Sequence, residues 1–196
     1  MPGSKAKNLS VRPQIKERGL TESLLIITGS MGGGKSTVLG EASDILTQRQ
    51  MVHATIDVDA LGGAHLLSAT ADDEVMYKNL ESVCQNYRAA GIRRFLLARA
   101  LEDAAQLRLC RKIVPAEDIA VCRITASLAV MTRRVEMRES GIWQRAYIAR
   151  VAVLDAILDR SRLEHFTVVN ENRSVTEVAL EMLVKAGWIT PQDIRI

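Results

Sequence analysis

Short apolar blocks recur along this sequence, and longer stretches with a helical period separate them. Most blocks are nearly continuous in Leu, Ile, Val, Phe or Ala, which is typical of parallel strands covered on both faces of a sheet. The blocks predict five strands, at residues 24–28, 52–56, 95–98, 119–122 and 166–169.

The intervening stretches place apolar residues three and four positions apart, the spacing of a helix that buries one face. They predict helices over 36–50, 72–90, 104–113, 126–138, about eighteen residues that include Trp143, and 175–186. Strands that alternate with crossover helices predict an α/β fold, here a three-layer sandwich around a five-stranded parallel sheet. Ligands bind such sheets at the carboxyl ends of the strands.

A glycine-rich segment follows the first predicted strand. Its sequence, Gly-Ser-Met-Gly-Gly-Gly-Lys-Ser, matches the phosphate-binding pattern G-x-x-x-x-G-K-[ST] in the required position between a strand and a helix. Such glycines let backbone N–H groups converge on one concavity, and the next helix adds the positive end of its dipole. We expect Lys35 to reach the β- and γ-phosphates of ATP and Ser36 to bind Mg²⁺. The predicted nucleotide contacts here are Gly29, Ser30, Met31, Gly32, Gly33, Gly34, Lys35, Ser36 and Thr37.

Two carboxylates follow the second predicted strand, at Asp57 and Asp59. Side chains at i and i+2 of an extended segment point the same way, so both can face one site. One can hold the metal's water shell, and the other can accept a hydroxyl proton from a phosphoryl acceptor. The alternative is a solvated strand end, where Asp is common as a turn former.

Charged and aromatic residues also fall near the expected acceptor side. Arg99 ends the third strand, which we expect to lie inside the sheet, and a charge there needs a partner or a ligand. Recognition of a substrate anion is our interpretation of Arg99. His65 and Tyr77 could contact a substrate, although a place on a helix surface explains each of them better.

Arginines crowd the end of the fourth predicted helix. Arg134 and Arg138 are four residues apart and share a helix face. A short lid around residues 133–145 that carries them could neutralise charge on a transferring phosphoryl group while excluding water. The alternative is that these cations complement the negative end of the helix dipole.

Composition and charge narrow the classes of partner. The chain has 196 residues, of which 47% are apolar, enough for one well-formed domain. The first twenty residues hold five basic side chains and one acidic one, a charge of +4, whereas the whole chain has a net charge of +3. We therefore expect a flexible basic tail over 1–21, a slightly acidic domain over 22–196, and no nucleic-acid partner.

Two further features concern the surroundings of the protein. No apolar stretch approaches the roughly 20 residues that span a bilayer, so no membrane partner is expected. The three cysteines are widely spaced, with no pattern of a disulfide framework or a zinc site. Reduced thiols in a cytoplasmic protein are the plain interpretation.

The loop at 29–36, Asp57-Val58-Asp59 and Arg134-Val135-Glu136-Met137-Arg138 together resemble the small P-loop metabolite kinases. The closest patterns are those of adenylylsulfate, gluconate and shikimate kinases, with chloramphenicol phosphotransferase more distant. The resemblance covers residues 24 to about 188. It implies a P-loop NTPase of the nucleoside-monophosphate-kinase-like type, ATP with Mg²⁺, and a mobile lid.

The resemblance also implies roles for individual residues. Asp57 would lie close to the metal, and Asp59 would receive the acceptor hydroxyl. Arg134 and Arg138 would cover the phosphates. The adenine would lie near the turn after the last strand, so Asn172 and Arg173 would contact the nucleotide. The kinase domain would extend over residues 22–196.

These features predict an ATP-dependent phosphotransferase that acts on a hydroxyl of a small polar metabolite or an antibiotic-like molecule. Two alternatives stay open. One is a non-catalytic ATP-binding module whose occupancy controls a protein partner. The other is a nucleoside or nucleotide kinase, which the aromatic content of 4% disfavours. The motifs do not determine the acceptor, the choice between ATP and GTP, or whether the protein is a monomer or a homodimer.

Overall fold

The computed structural model describes residues 21–64 and 69–194. The predicted basic tail, apart from Thr21, lies outside the described residues, as does His65. Within these limits the strands are β1 (Ser23–Thr28), β2 (Ala54–Asp57), β3 (Arg94–Ala98), β4 (Asp118–Thr125) and β5 (Phe166–Val169). The helices are α1 (Lys35–Gln48), α2 (Ala69–Ala89), α3 (Ala104–Ile113), α4 (Leu128–Arg138), α5 (Gln144–Ser161) and α6 (Val175–Lys185).

The five strands form one parallel sheet in the order β2-β3-β1-β4-β5. β1 is central, so the glycine-rich loop leaves the middle of the sheet. Ile27 of β1 lies opposite Ala98 of β3, which in turn lies opposite Asp57 of β2. The segments that follow these three strands therefore start at the same level of the same edge.

The core consists of two layers, one on each face of the sheet. Leu25 and Ile27 of β1 pack with α1 and α6, whereas Leu24 and Ile26 pack with α2 and α3. All four side chains are fully buried, and full burial of such a side chain contributes about 1.5–3 kcal/mol. This two-faced burial explains why the strand blocks are continuously apolar.

The end of β2 differs from the prediction. The extended segment stops at Asp57, because Val58 adopts a helical conformation (φ −67°, ψ −32°) and a 3₁₀ turn begins at Asp59. The Val58 N–H donates to the Ala98 carbonyl at 3.0 Å, and the Val58 carbonyl accepts from Leu61 at 3.0 Å. Alternation along a strand therefore cannot explain where Asp59 points, and that step of the sequence argument was wrong.

No helix within residues 21–64 and 69–194 is both long enough and apolar enough to cross a bilayer.

Candidate nucleotide and acceptor site

The glycine-rich loop has a backbone that only glycine accommodates at three of its positions, Gly29, Gly32 and Gly34. Gly32 and Gly34 have φ values of 75° and 99°, in the left-handed region that side chains disfavour. A Cβ on Gly32 would collide with the Met131 carbonyl, and one on Gly34 would collide with the side-chain amide of Asn170. The loop thus packs its backbone directly against α4 and the end of β5.

Two side chains from other elements, and one from the loop itself, fix the loop to the rest of the domain. The buried Asn170 donates from Nδ2 to the Gly33 carbonyl at 2.8 Å. Arg134 donates to the carbonyls of Gly32 at 3.2 Å and Asn170 at 3.0 Å. The buried Ser30 hydroxyl donates to the Val151 carbonyl of α5 at 2.8 Å. These bonds fix the carbonyl side of the loop, so its shape is preorganised.

Lys35 begins α1 at the end of the loop. Its ammonium group donates to the Ser30 carbonyl at 3.3 Å. Burial lowers the pKa of Lys35, against the raising effect of the nearby charges of Asp59 and Asp57. The charges of both predicted carboxylates thus act on this ammonium group.

Ser36 and Asp57 form the candidate magnesium position. The Ser36 hydroxyl donates to Oδ2 of Asp57 at 2.5 Å. Mg²⁺ in phosphate sites is typically held by one or two protein oxygens together with phosphate oxygens and water. This pair of oxygen atoms, next to Lys35, fits such an ion.

Asp59 belongs to a second ionic cluster. Its Oδ1 accepts a hydrogen bond from Arg99, whose other terminal nitrogen donates to Oδ1 of Asp73 at 3.1 Å. Burial lowers the pKa of Arg99, but the hydrogen bond and charge of Asp59 raise it more, and the net shift is upward. Arg99 therefore stays charged while two carboxylates share its guanidinium group.

The lid arginines have different surroundings. Arg134 points behind the loop, onto the two carbonyls described above, and so acts on the loop backbone. Arg138 pairs with its neighbour Glu139 at 2.8 Å, and its side chain is 61% exposed. Its charge lowers the pKa of Lys35. Of the two lid arginines, Arg138 is therefore the exposed one, and its charge acts on Lys35.

The turn after β5 contains the two predicted nucleotide contacts, Asn172 and Arg173, and also Asn170, whose bond to the loop was not predicted. Arg173, predicted as a nucleotide contact, pairs with Glu181 at 2.6 Å and donates to the Glu177 carbonyl at 3.2 Å. Asn172 has a left-handed backbone with φ 54°. Asn170 binds the loop through its side-chain amide. The only feature of the sequence that could have indicated this role is the position of Asn170 directly after β5. The nucleotide contacts of Asn172 and Arg173 stay predictions.

A cavity of about 620 Å³ lies between α2 and α3. Asp73, Tyr77 and Glu81 line it from α2, and Gln106 and Leu109 line it from α3; we call it the α2–α3 cavity. Asp73 connects it to the ionic cluster of Arg99 and Asp59. Tyr77 is 7% exposed, so the expectation that it lies on a helix surface was wrong.

No family model and no curated protein matches this sequence. A gluconokinase from Sinorhizobium meliloti 1021 matches the structure with a TM-score of 0.57 and 16% identity, over 89% of this chain and 97% of that chain. The fold is that of the small P-loop metabolite kinases.

Other solved structures extend this P-loop kinase comparison. The APS kinase of Mycobacterium tuberculosis, in complex with AMPPNP and APS, gives a TM-score of 0.61 and 20% identity over 86% of this chain and 99% of that chain. The tunicamycin resistance protein of Deinococcus radiodurans gives 0.60 and 14% over 85% and 96%. The predicted fold is confirmed, and identities this low leave the acceptor undetermined.

Proposed function

We propose that this protein is an ATP-dependent phosphotransferase that moves the γ-phosphoryl group of ATP to a hydroxyl of a small polar metabolite or an antibiotic-like molecule. The observation that carries the proposal is the hydrogen bond of 2.5 Å between Ser36, next to Lys35 at the end of the glycine-rich loop, and Asp57, with Asp59 in the turn that follows. Phosphoryl transfer needs a phosphate cradle, a metal position and an acceptor base in one place. We assign the cradle to the glycine-rich loop, the metal position to Ser36 with Asp57, and the base to Asp59.

The residues present fit ATP and Mg²⁺. Gly32 and Gly34 have left-handed backbones, and such conformations turn successive N–H groups toward a bound anion. Lys35 would bind the phosphates, and Ser36 with Asp57 would hold the metal. When bound, Mg²⁺ neutralises charge on the phosphate oxygens.

The chemical step uses Asp59 as the acceptor base. The acceptor oxygen forms a bond to the γ-phosphorus while the bond from that phosphorus to the leaving oxygen of ADP breaks. The hydroxyl proton passes to Oδ2 of Asp59, the oxygen that the Arg99 bond leaves unused. Arg99 thus orients the base rather than the substrate.

Arg134 and Arg138 have different proposed roles. Arg134 holds the carbonyls of the loop, so its effect on the phosphates is indirect. Arg138, which is mostly exposed, would meet the transferring group when the segment around 133–145 closes. The setting we propose is a cytoplasmic monomer or homodimer, with no nucleic-acid or membrane partner.

An acceptor screen tests the proposal directly. The purified protein is incubated with ATP labelled at the γ-phosphorus, Mg²⁺ and a panel of metabolites and hydroxyl-bearing antibiotics, and products are identified by mass spectrometry. We expect stoichiometric phosphate on one class of small molecule, and none with Lys35→Ala. Tight ATP binding with no transfer to any compound would favour the non-catalytic module, and transfer to a nucleoside would favour the nucleoside-kinase alternative.

A further inference from the structure

The α2–α3 cavity has an apolar floor that is partly open to solvent. Tyr77 and Ile113 line it and are buried, whereas Leu109 lines it and is 40% exposed. The cavity volume of about 620 Å³ lies within the usual range of binding pockets, about 300–1,000 Å³. An apolar recess of this kind is stabilised when a fitting apolar group covers it, because apolar surface then leaves water.

The described chain enters the domain beside one end of this cavity. Glu22, the residue before β1, pairs with Arg88 of α2 at 2.7 Å. Arg88 also donates to the carbonyl of Ile113 at 2.5 Å, and Ile113 is both the last residue of α3 and part of the cavity lining. The Glu22 carbonyl accepts from the N–H of Glu117 at 3.1 Å, which fixes the entry point. Residues 1–20 therefore join the domain at a point that one side chain, Arg88, connects to the cavity.

The length of the cavity matches a short piece of the preceding chain. Its lining follows α3 from the N-cap, Asp103, to the last residue, Ile113. The 10 residues of α3 measure about 15 Å along the helix axis. Five chain steps can reach roughly 16–18 Å, and five steps separate Leu20 from Ile15. These are the two apolar side chains nearest to Thr21, so one of them can meet each end of the cavity.

The rim of the cavity has more carboxylates than cations. In the part of the chain that the structure describes, four carboxylates and two ammonium groups line it: Asp73, Glu74, Lys78, Glu81, Asp103 and Lys112. Asp73 already pairs with Arg99, and Asp103 caps α3 through two backbone N–H groups. Glu74 and Glu81 are exposed, so they are the two carboxylates that can meet a cation from outside.

The chain before Thr21 supplies such cations. The first twenty residues hold five basic side chains and one acidic one. Two of the basic side chains, Lys16 and Arg18, lie between Ile15 and Leu20. Opposite charges favour the encounter of two surfaces, and a segment of the same chain meets the cavity at a high effective concentration.

We propose that residues 15–20 bind in the α2–α3 cavity of their own molecule. Leu20 covers the end of the cavity next to the entry point, Ile15 covers the end at the start of α3, and the two cations between them meet Glu74 and Glu81. The inference does not depend on the proposed catalytic activity. It replaces the expectation of a flexible tail for these six residues.

Cysteine cross-linking of the full chain tests the proposal. The three native cysteines are buried, so an introduced pair of thiols reacts alone. Lys16→Cys with Glu74→Cys places one thiol in the segment and one on the rim of the cavity. Lys16→Cys with Ser82→Cys is the matched control, because Ser82 is exposed on the same helix, outside the cavity lining and closer to Arg88 along the chain. Mild oxidation and non-reducing electrophoresis follow both pairs.

The two pairs give opposite results for a bound and an unbound segment. We expect the intramolecular disulfide to form at least about tenfold faster with Glu74→Cys than with Ser82→Cys. An unbound segment would favour the nearer Ser82, so equal rates or a faster control would overturn the proposal. Disulfides that form only between molecules, at a rate that rises with protein concentration, would also overturn it and assign the cavity to a second copy of the chain.

Two double variants identify which residues bind. Ile15→Ser with Leu20→Ser removes both apolar contacts, and we expect the pair with Glu74→Cys to cross-link about five- to tenfold more slowly. Leu9→Ser with Val11→Ser is the matched control and should leave that rate unchanged. A rate that falls equally in both double variants, or in neither, would contradict the assignment of this segment. Thermal unfolding of each variant verifies that the domain is folded.

Discussion

Ser36 and Asp57 are joined by a hydrogen bond of 2.5 Å that connects the first turn of α1 to the end of β2. The bond brings a hydroxyl and a carboxylate together beside Lys35, although 21 residues separate them in the chain. In a phosphate site such a pair is the protein's share of a magnesium position. The sheet register sets this arrangement, because β1 and β2 end at the same edge.

Asp57→Asn tests that assignment. We expect the affinity for ATP in the presence of Mg²⁺ to fall by about 10- to 100-fold, as it does when a partner that orients a metal ligand is lost. Affinity for ATP measured in EDTA should change little, since the loop and Lys35 are intact. Isothermal titration calorimetry under both conditions gives the comparison. An equal loss with and without Mg²⁺ would show that Asp57 shapes the loop instead.

Gly32→Ala tests the packing of the loop backbone. The new Cβ would collide with the Met131 carbonyl at a residue with φ of 75°, so we expect a loss of stability above about 1 kcal/mol together with weaker ATP binding. Gly40→Ala is the matched control, because a Cβ there meets no atom within 4 Å. Gly40 is inside α1, so its substitution should stabilise by roughly 0.5–1 kcal/mol. Urea unfolding measures both, and a neutral Gly32→Ala would contradict the described loop.

Arg134→Ala and Arg138→Ala should separate two roles. Arg134→Ala removes the bonds to the carbonyls of Gly32 and Asn170, and we expect a destabilisation of about 1–3 kcal/mol and a raised KM for ATP. Arg138 is largely exposed, so Arg138→Ala should leave stability within about 0.5 kcal/mol and lower kcat by about 100-fold. Denaturant unfolding and steady-state kinetics check both, and the reverse pattern would exchange the two roles.

The sequence predicted much of this fold and part of this site. Five apolar blocks and the glycine-rich segment sufficed for the parallel sheet and the phosphate loop, because both signals are local. The positions of Asp59, Arg99 and Arg134 depend on partners far along the chain. Nothing near Arg99 in sequence indicates that Asp73 of α2 shares its charge.

The same limit applies to the residues behind the loop. Asn170 and Gly33 are 137 positions apart in the sequence, so no local sequence pattern could predict the hydrogen bond between them. Asp59 begins a 3₁₀ turn, whereas strand alternation had required an extended segment from Asp57 to Asp59. Local patterns thus identified the elements, and tertiary packing decided which side chains meet.

Tyr77→Phe tests how well the buried Tyr77 hydroxyl is hydrogen-bonded, since among the described residues only Arg99 lies beside it as a partner and the geometry of that contact is poor. Loss of a buried hydroxyl without a well-formed hydrogen bond should stabilise the protein by about 1 kcal/mol at pH 7. The folded-state pKa of Tyr77 is raised to about 12, while an unfolded tyrosine ionises near pH 10. The wild type should therefore lose stability relative to Tyr77→Phe as the pH rises from 10 towards 12.

Tyr87→Phe is the control for this comparison, because Tyr87 lies on the same helix and is 37% exposed. It should show neither the gain at pH 7 nor the pH-dependent difference. Thermal unfolding at a series of pH values supplies the measurement. A clear loss of stability in Tyr77→Phe at pH 7 would mean that the hydroxyl is already paired in the folded protein.

The central claim is that Asp59 is the acceptor base beside the phosphate loop, and Asp59→Asn tests it most directly. Asp44→Asn, at an exposed position of α1, is the control. ATP affinity and acceptor phosphorylation are measured on the same preparations. The account predicts ATP affinity within about twofold of the wild type and at least about a 100-fold loss of transfer. Transfer that persists, or that falls only in step with ATP affinity, would contradict it.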